Sequence, residues 1–372
     1  MKKIDLDLKE FREFVKDRKC ICFGSGLQGI RFINIFENWG KADDILAFVD
    51  NNPEQWGKTI GYDDLYYPIV PIKNISHFLQ QDVVIVITCA DIINISAQLE
   101  HYEELEMVPC FSMIELAQKE LMVSSYKEII CDYIEPAIPR KLHYCWFGNE
   151  MPEGLKRNIE KWKRLCPDYE IIEWNESNYD VRKNRYARQA YEMKKWGYVP
   201  DYIRLDIIYE YGGIYLDTDI EMVKRPDDLL YQDGFASFDS SLLVNLGAGF
   251  GAKAGNRIIK ELRDYYDDVE FSHSDGGYNR TSCMTHSYRV LRQHGLEVND
   301  TFQKIGDINI YPMIFQGTCA YTRQMHITEK TYFIHYGTTT WLDDKNNRIK
   351  DELEKHFVAH SDEMLKSYSI NL

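Results

Sequence analysis

The stretch PDYIRLDIIYEYGGIYLDTD, Pro200 to Asp219, decides the fold and locates the chemistry. Its first twelve residues place Tyr202, Ile203, Leu205, Ile207, Ile208, Tyr209 and Tyr211 on all sides of a helix, and a helix apolar all round is buried. Asp201 and Arg204 stand one turn apart on it, and buried charges are costly unless paired or used. Two readings of that pair stay open: a structural i,i+3 ion pair, or a pair that grips sugar hydroxyls. They are compatible, because an Arg-oriented carboxylate is a well-placed hydroxyl acceptor. A strand from Gly213 to Leu216 then runs into Asp217-Thr218-Asp219. Alternate side chains of extended backbone point the same way, so Asp217 and Asp219 can offer two carboxylates to one cation. Hard oxygen ligands suit Mg²⁺ or Mn²⁺, and Gly212 and Gly213 would let a bulky ligand approach the strand. The plain alternative is an Asx-type turn at a strand end.

Outward from this stretch, an α/β unit begins after the breaker IEPAIP, Ile134 to Pro139. A strand Lys141 to Phe147, a helix Gly154 to Leu165 and a strand Glu170 to Trp174 precede helices at Asn184 to Trp196 and Pro200 to Tyr211. The first strand ends in Trp146 and Phe147, before Gly148-Asn149; an aromatic there stacks on a base or packs in the core. Further on come a glycine-rich piece, Asn245 to Gly251, a helix near Asn256 to Tyr266, and strands near Ile308 to Tyr311 and Tyr332 to His335. Past the last strand, Gly337-Thr-Thr-Thr-Trp341 offers hydroxyls and an indole N–H, and His335 is a nitrogen ligand or a structural histidine. The tail, Asn346 to Leu365, reads as a charged helix.

The first 120 residues alternate strands and helices in the manner of a parallel Rossmann-like sheet. Strands are expected at Lys19 to Phe23, Ile45 to Val49, Val83 to Thr88 and Met107 to Phe111, with a helix around Ile92 to Tyr102 and another from Met113 to Tyr133. Gly24-x-Gly26-x-x-Gly29 follows the first strand and opens a helix, the context of a dinucleotide fingerprint, and Asp50 closes the second strand where a ribose-binding acid would sit. Against nicotinamide chemistry, the sequence shows one mononucleotide-binding half only, and Asp50-Asn-Asn-Pro53 is also a good turn. An NAD-dependent oxidoreductase, a nucleotide-derived ligand and pure scaffolding are the alternatives for Gly24, Gly26 and Gly29. The expected division is a Rossmann-like domain over 1–120, a linker over 121–136 and a second domain over 137–372.

Composition narrows the class. Of 372 residues, 59 are Asp or Glu against 44 Lys or Arg, a net charge of −15, which opposes a nucleic-acid binder and is compatible with cation recruitment. Nine cysteines without metal spacing read as reduced thiols. The charged start has no apolar core of a signal peptide, and no apolar run is long enough to span a bilayer, so a cytoplasmic protein is expected.

The segments IPRKLHYCWFG (Ile138 to Gly148), PDYIRLDIIYEYGGIYLDTDIEMVK (Pro200 to Lys224), NLGAGFGA (Asn245 to Ala252) and YFIHYGTTTW (Tyr332 to Trp341), in this order, resemble the glycosyltransferases with a sugar-binding DXD region, the family-32-like enzymes of capsule and outer-chain synthesis. More remotely they are similar to the large clostridial glucosylating toxins. The resemblance covers Ala137 to Asp344. It implies a GT-A fold, a UDP- or GDP-sugar donor, Mn²⁺ or Mg²⁺, and transfer of a hexose with retention of configuration. The acceptor implied is a saccharide or a lipid-linked saccharide, in polysaccharide or glycolipid assembly, with peripheral membrane association if lipid-linked. By position, Trp146 would stack on the base, Asp201 and Arg204 would hold the donor sugar, and Tyr215 would lie in the donor site. Asp217 would take the ribose or a metal-bound water, Asp219 the metal, and His335 is a further metal candidate. Thr340 and Trp341 would contact the diphosphate; the family often has Ser-Trp there. A non-catalytic nucleotide-sugar-binding protein, or a transferase acting on a host protein, would share these residues.

Overall fold

The computed structural model describes residues 2–335 apart from 5, 63–64, 90–91, 114, 117–128, 240–242, 275, 280, 314–317, 320–323, 326–327 and 329. Thr340, Trp341 and the expected C-terminal helix therefore lie outside the described residues. Two seven-stranded sheets organise the chain, an α/β fold as the sequence indicates.

The first sheet comprises β1 (Lys2–Lys3), β2 (Lys19–Phe23), β3 (Ile45–Val49), β4 (Thr59–Tyr62), β5 (Leu65–Val70), β6 (Val83–Ile87) and β7 (Pro109–Ser112). Their order is β1-β7-β6-β2-β3-β5-β4, parallel except for the β4–β5 hairpin. Fully buried runs such as VVIVI in β6 are what a parallel sheet covered on both faces demands. The expected single mononucleotide half is corrected here. Strands continue on both sides of β2, giving a doubly wound order with its switch point between β2 and β6. The hairpin escaped sequence reading because Gly61, Tyr66 and Pro68 spoil its apolar alternation, and β4 lies at the sheet edge, where turns and neighbours rather than burial set the strand. Helices α1 (Leu8–Phe14), α2 (Leu27–Asn38) and α3 (Ile92–Leu99) pack on the sheet.

The expected helix up to Tyr133 is also corrected over 129–133, which is extended coil. Asp132 and Tyr133 donate backbone N–H groups to the Tyr231 carbonyl, and Ala137 and Ile138 donate to Leu230, so this segment is pinned to the helical turn Asp227–Tyr231.

That second sheet comprises β8 (Lys141–Cys145), β9 (Glu170–Trp174), β10 (Gly213–Tyr215), β12 (Gly234–Ser237), β13 (Phe250–Ala252), β14 (Gln303–Ile305) and β15 (Ile308–Tyr311), with β11 (Ile220–Met222) outside it. The order is β14-β15-β12-β13-β10-β8-β9. Strands β9, β8 and β10 run parallel, and β13 is inserted antiparallel between β10 and β12, the mixed arrangement of a GT-A-like sheet. Helices α4 (Glu153–Leu165), α5 (Arg185–Glu192), α6 (Pro200–Tyr211), α7 (Arg257–Asp264) and α8 (Cys283–Leu291) surround it. Strands β16 (Thr318–Cys319) and β17 (Gln324–Met325) pair with each other, and β18 (Phe333–His335) pairs with β11.

Helix α6 is the buried centre. Proline at its first position suits a helix start, and residues 201–208 are all buried. Each large apolar side chain so placed contributes about 1.5–3 kcal/mol. Gly212 and Gly213 end it with φ of +60° and +115°. A Cβ at Gly213 would come within 2.8 Å of His143 Nε2, and one at Gly212 within 2.8 Å of the Ala254 nitrogen. The double glycine therefore serves the tight reversal from helix to strand and the close approach of β8, not access for a ligand. Beneath it His143 is fully buried and neutral, its pKa lowered to about 4 by burial. Its Nε2–H donates to the Gly212 carbonyl at 2.9 Å, and its Nδ1 accepts from the Trp174 indole at 3.1 Å.

Candidate active site

Parallel strands β8 and β10 are neighbours, with Tyr215 opposite His143, so their C-terminal ends open at the same edge. In open α/β sheets ligands sit beyond that edge. Trp146 follows β8 there and Asp217 follows β10. The Asn245–Gly249 loop arrives at the same place because it feeds antiparallel β13. Pairing of β18 with β11 sets His335 opposite Ile220, beside Asp219. Four segments far apart in sequence thus meet at one edge.

Arg204 is the hub. Its Nη2 lies 3.3 Å from Asp201 Oδ1 and 3.4 Å from Asp217 Oδ1. Its Nε donates to the Pro200 carbonyl, and the guanidinium lies over the Tyr215 ring at 5.1 Å. The Tyr215 hydroxyl donates to Asp217 Oδ1 at 3.0 Å, and the Tyr186 hydroxyl donates to Asp201 Oδ2 at 3.2 Å. Arg204 and Asp201 are 4 % and 5 % exposed, whereas the Asp217 side chain is 29 % exposed. One guanidinium therefore serves two carboxylates. Burial pushes Asp201 up to about 7, outweighing the pull of Arg204, and raises Asp217 as well. The network holds a proton on its inner acid more tightly than an ordinary carboxylate does.

Asp217 and Asp219 are not alternate residues of a strand. The Ile220 N–H donates to the Asp217 carbonyl at 3.0 Å, so the DTD segment is a turn rather than extended strand. Asp217 turns inward to Arg204, while Asp219 lies 3.6 Å from His335 Nε2, with side chains 13 % and 22 % exposed. From α4, Asn158 donates to the carbonyls of Thr218 and Ile220, and Trp162 donates to Ile220, clamping the turn. Gly247 presses on the other side: a Cβ there would stand 2.3 Å from Asp217 Oδ2 and 2.8 Å from Arg204 Nη1. Asn245 shapes that loop by accepting from the N–H groups of Gly247 and Ala248.

The donors available to a cation are the Asp219 carboxylate and the His335 imidazole, with the partly exposed Asp217 within electrostatic reach of both. Among the described residues no group of three or more His, Cys, Asp or Glu side chains gathers in a metal-holding arrangement. A hard divalent cation that keeps waters and substrate phosphates needs one or two protein carboxylates, so this set fits it.

Trp146 is placed one strand over, where its indole N–H donates to the Asn149 carbonyl at 2.6 Å. It lines a cavity of about 480 Å³ over the ends of β8 and β9, beside α4. Of the residues expected from sequence, Asp201, Arg204, Tyr215 and Asp217 come together, and Asp219 and His335 form a second pair.

Gly24, Gly26 and Gly29 belong to the first sheet. There Gly24 has φ +117° with Cys89 and Thr88 against it, and a Cβ at Gly29 would lie 2.6 Å from the Gly24 carbonyl. The Asp50 carboxylate accepts from the N–H and hydroxyl of Ser25 and from the Asn52 N–H. Against the upward pull of burial, these bonds hold it below the usual carboxylate range. Sequence reasoning missed Tyr186, Asn158, Asn245, Gly247 and Cys283, whose thiol lies 3.8 Å from Arg204 Nη1. Only the glycine-rich run at Asn245 carried a signal, because the others act through partners remote in sequence.

Residues 152–236 match the family model described as glycosyltransferase sugar-binding region containing DXD motif. Inositol phosphoceramide mannosyltransferase 2 of Schizosaccharomyces pombe is 33 % identical over 105 residues, 26 % of this chain and 29 % of that protein. Subversion of eukaryotic traffic protein A of Legionella pneumophila is 26 % identical over 185 residues, 40 % of this chain and 29 % of that protein. This chain thus spans less than a third of the length of either relative. A solved structure titled PaToxG Glycosyltransferase is similar at a TM-score of 0.35 with 14 % identity, covering 50 % of this chain and 79 % of that one. The match to the glycosyltransferase sugar-binding region containing DXD motif thus falls on the segment that holds the buried Arg204 helix and the DTD turn.

Proposed function

We propose that the chain is a hexosyltransferase that moves a sugar from a nucleoside diphosphate to an acceptor hydroxyl, with the Arg204 network binding the sugar and Asp219 the cation. The observation that carries this reading is the convergence of both at the C-terminal edge of β8 and β10, inside the matched region. Arg204, braced by Asp201 and Asp217, presents fixed donors and acceptors to sugar hydroxyls, and its burial excludes water from one side of the sugar. Tyr215 orients Asp217 toward that task. Asp219 with His335 would hold Mg²⁺ or Mn²⁺, which when bound supplies Lewis acidity toward a leaving diphosphate. Trp146 offers its ring to the nucleobase, and Thr340 and Trp341 belong to the diphosphate end. Retention of configuration belongs to the same reading.

The relative named as a mannosyltransferase of inositol phosphoceramide supports mannose as the sugar and a glycolipid as the acceptor, in place of a capsular polysaccharide. A glycolipid acceptor requires docking at a membrane surface; among the described residues no helix is long and apolar enough to cross one. We place this activity in the cytoplasm, on residues 137–372, with 1–120 as a Rossmann-like unit and 121–136 as the join.

The test is a panel of UDP- and GDP-sugars incubated with Mn²⁺ and a glycolipid acceptor, reading nucleoside diphosphate release. Release from one donor, abolished by chelator, is expected. Silence across the panel overturns the proposal.

A further inference from the structure

Strand order lays out the C-terminal edge of the second sheet from one side to the other. Strands β9 and β8 end at the cavity beside Trp146, and β10 next to them leads to Asp217 and the Arg204 network. Beyond β10 come β13 and then β12. Because β13 is antiparallel to both β10 and β12, those two strands run the same way and end at the same edge. The acid that leaves β12 there is Asp239, half-buried, two residues past the strand end at Ser237. Gly213 and Gly234 both stand opposite Ala252, and counting on from them sets Asp217 level with Phe238 and Asp239 one residue further out. Two strand spacings, about 10 Å, lie between the two acids.

Asp239 is tied to the network by a short chain of contacts. Its N–H donates to the Leu243 carbonyl at 2.9 Å, and its Oδ2 accepts from Asn245 Nδ2 at 3.1 Å. The oxygen of the same Asn245 amide holds the N–H groups of Gly247 and Ala248, and Gly247 presses on Asp217 and Arg204. A second line of evidence comes from Cys283, whose thiol lies 3.8 Å from Arg204 Nη1 at the start of α8. Burial pushes that thiol up, and the charges of Asp201, Asp217 and Asp239 push it further against the pull of Arg204. One thiol thus feels all three acids.

Among the described residues no three metal-binding side chains gather, so Asp239 is not a third cation ligand beside Asp219 and His335. A carboxylate has more acceptor positions than one amide uses, and the donor that suits it at a sugar site is a hydroxyl. The assignment rests on the hexosyltransferase reading, with the base at Trp146 on β8 and the sugar at Arg204 beside β10. The next place along the edge then falls to the acceptor. We infer that Asp239 receives the hydrogen bond of the acceptor hydroxyl and so aims its oxygen at the bound sugar. It orients that oxygen and forms no bond to the sugar itself.

A brace for the Asn245 hairpin is the other role open to this acid, and Asp239→Asn separates the two. The asparagine oxygen still accepts from Asn245 but carries no charge. The full chain and this variant are compared with Mn²⁺ and the UDP- or GDP-sugar and glycolipid that give turnover in the panel above. Transfer by Asp239→Asn is expected to fall about 10- to 100-fold, the worth of a hydrogen bond to a charged group, while the donor Kd read by tryptophan quenching stays within about twofold. Transfer at the wild-type rate overturns the assignment. So does a donor Kd that weakens as much as transfer, which would give the acid to the donor. Loss of the cooperative melting transition in Asp239→Asn overturns it too, because the acid is then a brace. None of these results touches the transferase reading. That reading fails only if the unaltered chain turns over no donor in the panel, and the role of Asp239 falls with it.

Discussion

The Gly24–Gly29 loop after β2 and the Gly212–Asp219 segment around β10 are made of similar parts: a buried strand, glycines at positive φ, a helix and nearby aspartates. They differ in where the carboxylates go. In the first, Asp50 at the end of β3 accepts from Ser25 of the glycine loop and from Asn52 of its own turn. In the second, Asp217 reaches across to Arg204 on another element and Asp219 stands beside His335 on β18. Both acids are held from another element, but Asp217 meets a buried guanidinium where Asp50 meets neutral donors. The buried guanidinium and the raised carboxylates lie beside the second sheet.

The comparison breaks most plainly at Asp219. Asp219→Ala is expected to lower donor turnover roughly 10³-fold, the worth of a cation's charge stabilisation, with the melting temperature little changed. Wild-type-like turnover by that variant in the presence of chelator would put the chemistry elsewhere.

Arg204→Met strips the cation from between the buried Asp201 and the partly exposed Asp217. A loss of about 3–5 kcal/mol in urea unfolding is expected, because an unpartnered buried charge is left behind. A change below about 1 kcal/mol would mean the network is solvated, like an exposed ion pair.

Asp201 sharpens the contrast through pH. Its folded pKa of about 7 stands above the ordinary 3.8, so between those values the folded state keeps a proton that the unfolded state has released. Stability accordingly falls as pH rises from about 4 to about 7, by at most about 4 kcal/mol. Asp201→Asn is expected to flatten that slope in urea titrations, leaving the smaller part due to Asp217. An unchanged slope would remove Asp201 as its source.

The smallest effect belongs to the first sheet. Asp50→Ala is expected to cost about 1 kcal/mol for its lost hydrogen bonds and to leave nucleoside diphosphate release unaltered. A tenfold fall in release would show that the Gly24 loop takes part, and the distinction between the two turns would fail.

Much of the fold was legible from local pattern. Strands Lys19–Phe23, Ile45–Val49, Glu170–Trp174 and Ile308–Tyr311, and helix Pro200–Tyr211, stand where periodicity and breakers set them. The β4–β5 hairpin was not legible, nor was β11, whose three residues exist as a strand only because β18 returns to pair with them. At the site, residue types pointed to Asp201, Arg204, Asp217 and Asp219, and the structure makes DTD the turn at a strand end that was the alternative to extended backbone. An i,i+2 rule holds along a strand and lapses in a turn, and whether DTD is strand or turn depends on Asn158, Trp162 and Gly247 pressing on it from elsewhere.

From the chain of residues alone come the succession of strands and helices, the burial of the Arg204 helix and the identity of the acids, because hydrophobic period and capping act over a few residues. The turn at Asp217–Asp219, the raised Asp201 and the approach of His335 to Asp219 came only with tertiary structure. Desolvation and pairing are properties of what surrounds a group, and here those surroundings arrive from segments scores of residues away.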